Sequence, residues 1–228
     1  MSLADYQQLV DDLVRDRDQV IDVGQRDDAI AGAVMRYSLD APAPLIADVL
    51  SVNGGQRLPV PAGWVAHSQL RSLEHPVGQT PPSFIGLNGV SLYHGLTGPE
   101  IVLLVSLLAN DVVRVSYTGA HVLDAHNDSI PLHHRRAVAC LAAADVCGQL
   151  SAWYATEGAP TLQADTVDHQ GKTERYRTRA RDLAAEYTRI VGPAPTERKR
   201  PAMAEAAFES RDSLGRRTLF HPPRNWPQ

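Results

Sequence analysis

The chain has 228 residues, 43% of them hydrophobic and 21% charged, with a formal net charge of −4 at pH 7. That is enough for a real core, as one large domain or a domain with an insertion, and the charge argues against strong nonspecific nucleic-acid binding by the chain as a whole. The opening MSLADYQQLVDDLVRD has neither a basic n-region nor an apolar h-region, and no run of about 18 or more apolar residues occurs, so secretion and membrane insertion are not expected. Charge is unevenly spread along the chain: residues 1–40 hold nine acidic side chains against four basic, and residues 193–228 hold seven basic against four acidic.

In chain order, Tyr6, Val10 and Leu13, with Leu9 beside them, predict a short first helix whose polar face carries Asp5, Asp11, Asp12 and Asp16. Gly24 is expected to interrupt it. Asp27 or Asp28 offers a cap for a second helix with Ile30, Ala33, Val34 and Tyr37 inward, ending before Pro42. The period then changes. Residues 44–50 and 56–60 flank Asn53-Gly54-Gly55, which predicts a hairpin with Trp64 covering one end of its sheet. Further strands are expected at 68–74, 90–95, 101–108 and 112–118, with Ala109-Asn110-Asp111 turning the last pair.

The next helix is expected to start at Asp128 or Ser129 as cap, with Pro131 in its first turn, where the missing N–H is not needed. It should run to about Tyr154. Ala137, Leu141, Ala144, Gly148 and Ala152 fall on one stripe, and a small-residue face admits close helical neighbours. The last helix has Asp165 or Thr166 as candidate caps and Tyr176, Ala180, Leu183, Tyr187 and Ile190 as its apolar seam, and it stops at Gly192-Pro193. Lys172, Arg175, Arg177, Arg179, Arg181 and Arg189 fill much of its remaining surface. Such a face can bind phosphates, although a solvated charged face is the plainer reading.

Residues 193–228, PAPTERKRPAMAEAAFESRDSLGRRTLFHPPRNWPQ, break the pattern with repeated proline, a basic cluster and widely spaced large apolar residues. The plain reading is a disordered end. The sharper one is a docking arm, because Phe208, Leu214, Leu219, Phe220 and Trp226 are costly to leave in water and spaced anchors can order on a partner's groove. The chain therefore reads as α+β: N-terminal helices (1–40) and a C-terminal helical pair (121–192) forming a bundle, an inserted antiparallel β module (41–120), and an extended tail (193–228).

Catalytic chemistry finds little footing. His121, His126, His133 and His134 cluster near the start of the third helix but lack HExxH spacing, and the adjacent pair points about 100° apart on a helix. Asp165, Asp168 and His169 imitate an acid–base pair, yet at a helix mouth they serve as caps and dipole partners. No GxSxG serine or phosphate-cradling glycine loop is present. Cys140 and Cys147 stand about 10.5 Å apart along a helix axis, too far for a disulfide, and read as small core hydrophobes in a reducing cytoplasm. No catalytic residue, metal or cofactor is expected.

Four stretches in order, RDDAIAGAVMRYSLDAP (26–42), VRVSYTGAHVL (113–123), SIPLHHRRAVACLAAADVCGQLSAWYA (129–155) and ADTVDHQGKTERYRTRARDLAAEYTRIVG (164–192), resemble the head-tail adaptor (connector) proteins of tailed double-stranded DNA bacteriophages. They look like that family's early helix leading into a first strand, its strand before the helical half, and its two closing helices. The tail after Gly192 and the apolar segment around 100–108 have no counterpart in the resemblance. The resemblance implies a virion neck protein made in the host bacterial cytoplasm, forming a ring of twelve copies beneath the portal protein and offering its lower surface to the next tail or neck protein. It also implies no enzymatic activity and only transient, non-specific passage of DNA. Within it, the five tail anchors are candidates for docking on the portal or a neighbouring subunit. Asp11, Asp12 and Asp16 are candidates for lining an acidic channel along which DNA slides, since basic linings bind phosphate. The alternative from another class is a small nucleic-acid-binding or regulatory protein using the basic helix at 172–189.

Overall fold

The computed structural model describes residues 2–16, 18–96, 98–157 and 169–192, and the short strands Ser210–Arg211 and Arg217–Thr218. Two compact units divide the chain, Met1–Pro195 and Thr196–Gln228. The fold is α+β, with helices and antiparallel strands in the first unit.

Helix α1 spans Leu3–Val14 and buries Tyr6, Val10 and Val14. Asp5 accepts from the Ser2 backbone N–H at 2.7 Å as part of a capping box, and the helix stops because Arg15 turns left-handed at φ 55°. The chain thus breaks nine residues before Gly24, which instead lies in the first turn of α2 (Val23–Asp40). The α2 cap is Asp22, not Asp27 or Asp28: its carboxylate accepts from Gln25 N–H at 2.8 Å, and the Gln25 side chain accepts from Asp22 N–H at 3.0 Å. This reciprocal capping box satisfies orphan donors before Asp27 is reached. The expected inward stripe of Ile30, Ala33, Val34 and Tyr37 is buried.

Seven strands follow: β1 (Ala43–Ser51), β2 (Gly55–Pro59), β3 (Leu70–Glu74), β4 (Phe84–Ile85), β5 (Ser91–Gly95), β6 (Gly98–Leu107) and β7 (Asp111–Gly119). They form a four-stranded sheet ordered β1-β7-β3-β4 and a three-stranded sheet ordered β2-β6-β5. This corrects both expected hairpins. β1 pairs along its whole length with β7, from Ala43 opposite Gly119 to Ser51 opposite Asp111, and β2 pairs with β6.

The turns at 52–54 and 108–110 each hand the chain from one sheet to the other, and they pack together. Gly54 sits at φ +68° with its missing Cβ position 3.0 Å from the backbone of Leu107 and Ala109, so glycine is required there for both conformation and space. Asn110 N–H donates to Ser51 O at 2.7 Å. Between the sheets lie Val49, Leu58, Leu73, Ile101, Leu103, Leu107, Val113, Val115 and Tyr117. Trp64 stacks on Tyr117 with centroids 5.7 Å apart, covering an end of the sheet as expected. On the outer face, Arg114 clamps Asp48 through two bonds of 2.7 and 2.9 Å across the β1–β7 pair.

A 3-10 turn at Leu132–His134 precedes α3 (Arg135–Glu157). Pro131 heads that turn rather than the α-helix. The Asp128 carboxylate accepts from Ile130 N–H at 2.9 Å and meets Arg135 at 2.9 Å, and the Ser129 hydroxyl accepts from Val122 N–H at 2.8 Å, so both pin the approach rather than cap α3.

α3 is the centre of the bundle: α1, α2 and α4 (His169–Val191) all pack on it, α4 most extensively. Its buried seam runs Ala137, Cys140, Ala143, Cys147, Leu150 and Tyr154; of the expected stripe Ala137 and Ala144 are buried, Leu141 is half-buried, and Gly148 and Ala152 are exposed. The correction has a simple cause. Alanine and glycine gain little from burial, so Leu150 and Tyr154 choose the inward face. In α4, Leu183, Tyr187 and Val191 are buried, with Tyr176, Ala180 and Ile190 beside them, and Gly192 closes the helix at φ +84°, donating to Thr188 O at 2.9 Å. The expected caps Asp165 and Thr166 lie outside the described residues. In the second unit, Ser210–Arg211 pairs antiparallel with Arg217–Thr218, a short ladder where only extended chain was expected.

Candidate functional site

The five tail anchors, Phe208, Leu214, Leu219, Phe220 and Trp226, lie outside the described residues, as do Asp165 and Asp168. The three carboxylates named as channel-lining candidates differ in their surroundings. Asp11 forms an ion pair with Arg26 of α2 at 2.6 Å, and Asp16 accepts from Ile21 N–H at 3.0 Å, closing the turn after α1. Asp12 is exposed and, among the described residues, bonds to Gln8, 3.2 Å away on the same helix face. Asp11 and Asp12 are both exposed and Asp16 is half-buried, and of the three Asp12 is the one without an ion pair or a backbone N–H bond among the described residues.

Two of the clustered histidines, His121 and His134, serve structure. His121 is buried, with Nε2 2.9 Å from Ala41 O and Nδ1 3.1 Å from both the carbonyl and the hydroxyl oxygen of Ser129, and its backbone N–H donates to the Ser38 hydroxyl at 2.9 Å. Tyr37 OH lies 2.6 Å from His134 Nδ1, and the Tyr37 ring packs on both His121 and His134. These contacts fasten the end of α2 to the link between β7 and α3. Among the described residues, no group of three or more His, Cys, Asp or Glu is placed to hold a metal ion.

A second buried joint escaped the sequence reading. Asp40, at the end of α2, accepts from Tyr187 OH of α4 at 2.6 Å and from Arg36 Nε at 3.0 Å. Burial, and then the bond to the carboxylate, hold the Tyr187 phenol well above its usual range. A local signal existed: a carboxylate in the last turn of a helix opposes the helix dipole, so its presence there points to a partner elsewhere.

The basic face of α4 is partly neutralised within the fold. Lys172 bonds to Asp18 at 2.8 Å and lies over the Tyr154 ring at 4.7 Å. Lys172, and then the Tyr154 hydroxyl at 2.5 Å, hold the Asp18 carboxyl below the usual carboxylate range. Arg177 pairs with Glu174 at 3.3 Å, Arg189 with Glu186 at 2.7 Å, and Arg179 donates to Leu13 O at 3.0 Å. Three of the six cations are thus in ion pairs, which favours the solvated-face reading over a phosphate reader. Burial lifts the Cys140 thiol above its usual range and pushes the Cys147 thiol up to about 11, in keeping with inert core positions.

Two apolar surfaces were also beyond sequence reasoning. The apolar segment at 100–108 that had no counterpart exposes Leu104 (75%) on β6, within the stretch where the β2–β6 register shifts, and Leu108 (74%) in the turn that follows. A groove of about 570 Å³ runs beside α2, formed chiefly by Ala31, Val34 and Met35 with Val65, Val122 and Leu123. His67 lines it, and its Nε2 is buried without a hydrogen-bond partner among the described residues.

No protein-family model and no curated protein matches the chain. Solved structures similar to it include two particle necks. The neck of an empty GTA (gene transfer agent) particle, computed with C6 symmetry, is 17% identical over 75% of this chain and 88% of that one, at a TM-score of 0.27. The neck of a native GTA particle, computed with C12 symmetry, is 16% identical over 78% of this chain and 92% of that one, also at a TM-score of 0.27.

Proposed function

We propose that the chain is a structural head-tail adaptor of a tailed, phage-like particle. In this reading it forms a ring, twelve copies by the family resemblance, that links the portal to the next tail or neck component and extends the DNA channel. One observation carries the reading: the four stretches of the resemblance fall, in order, on α2, β7, α3 and α4 of a single compact unit, three of them as helices around one shared core. The work of such a part is adhesive and mechanical, and the chemistry of the unit is in keeping with that. His121, His134, the two cysteines and the buried carboxylate of Asp40 serve packing and joints, and no helix among the described residues is long and apolar enough to cross a membrane.

Rings form through heterologous contacts that close, so each subunit needs two different complementary faces. The tail at 193–228, with Phe208, Leu214, Leu219, Phe220 and Trp226, supplies one docking element toward the portal or a neighbouring subunit. The outward carboxylate of Asp12, with Asp11 and Asp16 beside it, serves the DNA channel.

Light scattering and electron microscopy of the full chain, with and without matched portal rings, test the reading. Stoichiometric decoration of the portal is expected, and deleting residues 193–228 should weaken it while leaving the Met1–Pro195 unit folded. A chain that does not bind an assembled portal, or a deletion that binds as well as the full chain, refutes the adaptor reading or the tail's part in it, respectively.

A further inference from the structure

The first half of α4 turns one face toward the end of α1. Lys172, Arg175, Tyr176 and Arg179 stand at i, i+3, i+4 and i+7, so they share that face, and with Arg15 and Asp18 they line a cavity of about 610 Å³. Four of these side chains are cations and one, Asp18, is a carboxylate. Pairing with Glu174 and Glu186 neutralises Arg177 and Arg189 elsewhere on α4, but it does not reach this hollow. Arg15 and Arg175 are exposed and have neither a side-chain hydrogen bond nor an ion pair among the described residues.

The cations are set in place by the fold. Arg15 is the left-handed residue that ends α1, at φ 55°, and its backbone N–H donates to Asp11 O at 2.9 Å. Lys172 is anchored through Asp18 at 2.8 Å, and Arg179 through Leu13 O at 3.0 Å. An ammonium carries three donors and a guanidinium five, so each retains donors beyond its anchor. Asp18 is engaged by both Lys172 and the Tyr154 hydroxyl, which offsets its repulsion of an incoming anion.

Like charges gathered in a concavity repel one another and focus a positive potential there. An anion relieves that excess. Guanidinium forks match the oxygens of carboxylates and phosphates, and of the two a phosphate group brings the larger charge and more acceptor oxygens. We infer that the cavity between the end of α1 and the first half of α4 is a binding site for a phosphate group. Arg15 and Arg175 donate to its oxygens, and Lys172 and Arg179 supply the surrounding positive charge. Free phosphate and the phosphodiester of a nucleic acid offer this same chemistry. The site is independent of the adaptor reading: loss of either leaves the other standing.

Isothermal titration calorimetry of the full chain with sodium phosphate, and with sodium acetate at matched ionic strength, tests the assignment. Saturable binding of phosphate and none of acetate is expected. Arg15→Gln and Arg175→Gln should each weaken it by about tenfold, the size of a lost charge-assisted hydrogen bond, while Arg181→Gln, on α4 but outside the cavity, leaves it unchanged. Unchanged melting temperatures verify that the variants keep the fold. Fluorescence anisotropy with a labelled duplex of about 20 base pairs separates the two sources. A duplex displaced by phosphate, with a salt slope that falls by about one in Arg175→Gln, assigns the site to nucleic-acid phosphate; a duplex that neither binds nor competes assigns it to free phosphate. No phosphate binding, equal binding of acetate, or an affinity indifferent to both arginine substitutions would overturn the assignment.

Discussion

Removing the hydroxyl of Tyr187 tests the buried joint that ties the last helix to the end of the second. Its oxygen donates to the Asp40 carboxylate at 2.6 Å, and both residues are buried, at 6% and 7% exposure. A hydrogen bond to a charged group contributes about 1.5–3 kcal/mol. Arg36 Nε continues to donate to the same carboxylate oxygen at 3.0 Å after the change, so Tyr187→Phe is expected near the lower half of that range, about 2 kcal/mol. For a unit of this size that corresponds to a fall of about 4–8 °C in melting temperature.

Urea unfolding followed by circular dichroism measures it, and a cycle with Asp40→Asn isolates the pair, with a coupling of about 1 kcal/mol or more expected. The pH dependence adds an independent sign. The folded phenol is held above its usual value while the unfolded one ionises near pH 10, so its stabilisation is fully present below about pH 10 and is lost as pH rises beyond it. The gap between wild type and Tyr187→Phe should therefore narrow from pH 10 to 11. A difference under about 0.5 kcal/mol at pH 7, or a gap that widens with alkali, refutes the reasoning.

Two further outcomes follow from burial. Leu150 on the inward face of α3 is fully buried, so Leu150→Ala should cost about 2–5 kcal/mol, whereas Leu104→Ala on the bulged strand should stay within about 0.5 kcal/mol; equal effects in chemical denaturation would contradict the placement of α3 at the centre of the bundle. Cys140 and Cys147 should be silent to a thiol reagent at pH 8 in the folded chain and react fully once it is unfolded in urea, and rapid labelling of the native protein would show that α3 does not bury them.

Sequence alone determined what is local. The seams of α1, α2 and α4 were legible because Tyr6, Val10, Ile30, Tyr37, Leu183 and Tyr187 recur at helical spacing, and the stop at Gly192 because only glycine takes its conformation cheaply. The strands were legible from their composition. Tertiary structure decided whatever depends on a partner distant in the chain. Asn53-Gly54-Gly55 announces a turn, but a turn does not say whether its flanks pair with each other; β1 instead lies along β7, where Val49 opposes Val113 and Asp48 meets Arg114. The face of α3 was hidden because its alanines fit inside or out, and only packing by α1, α2 and α4 chose among them. The groove beside α2 joins residues 31–35, 65–67 and 120–123, and no periodicity records such a meeting, because apolar residues become a surface only once the fold leaves them uncovered together.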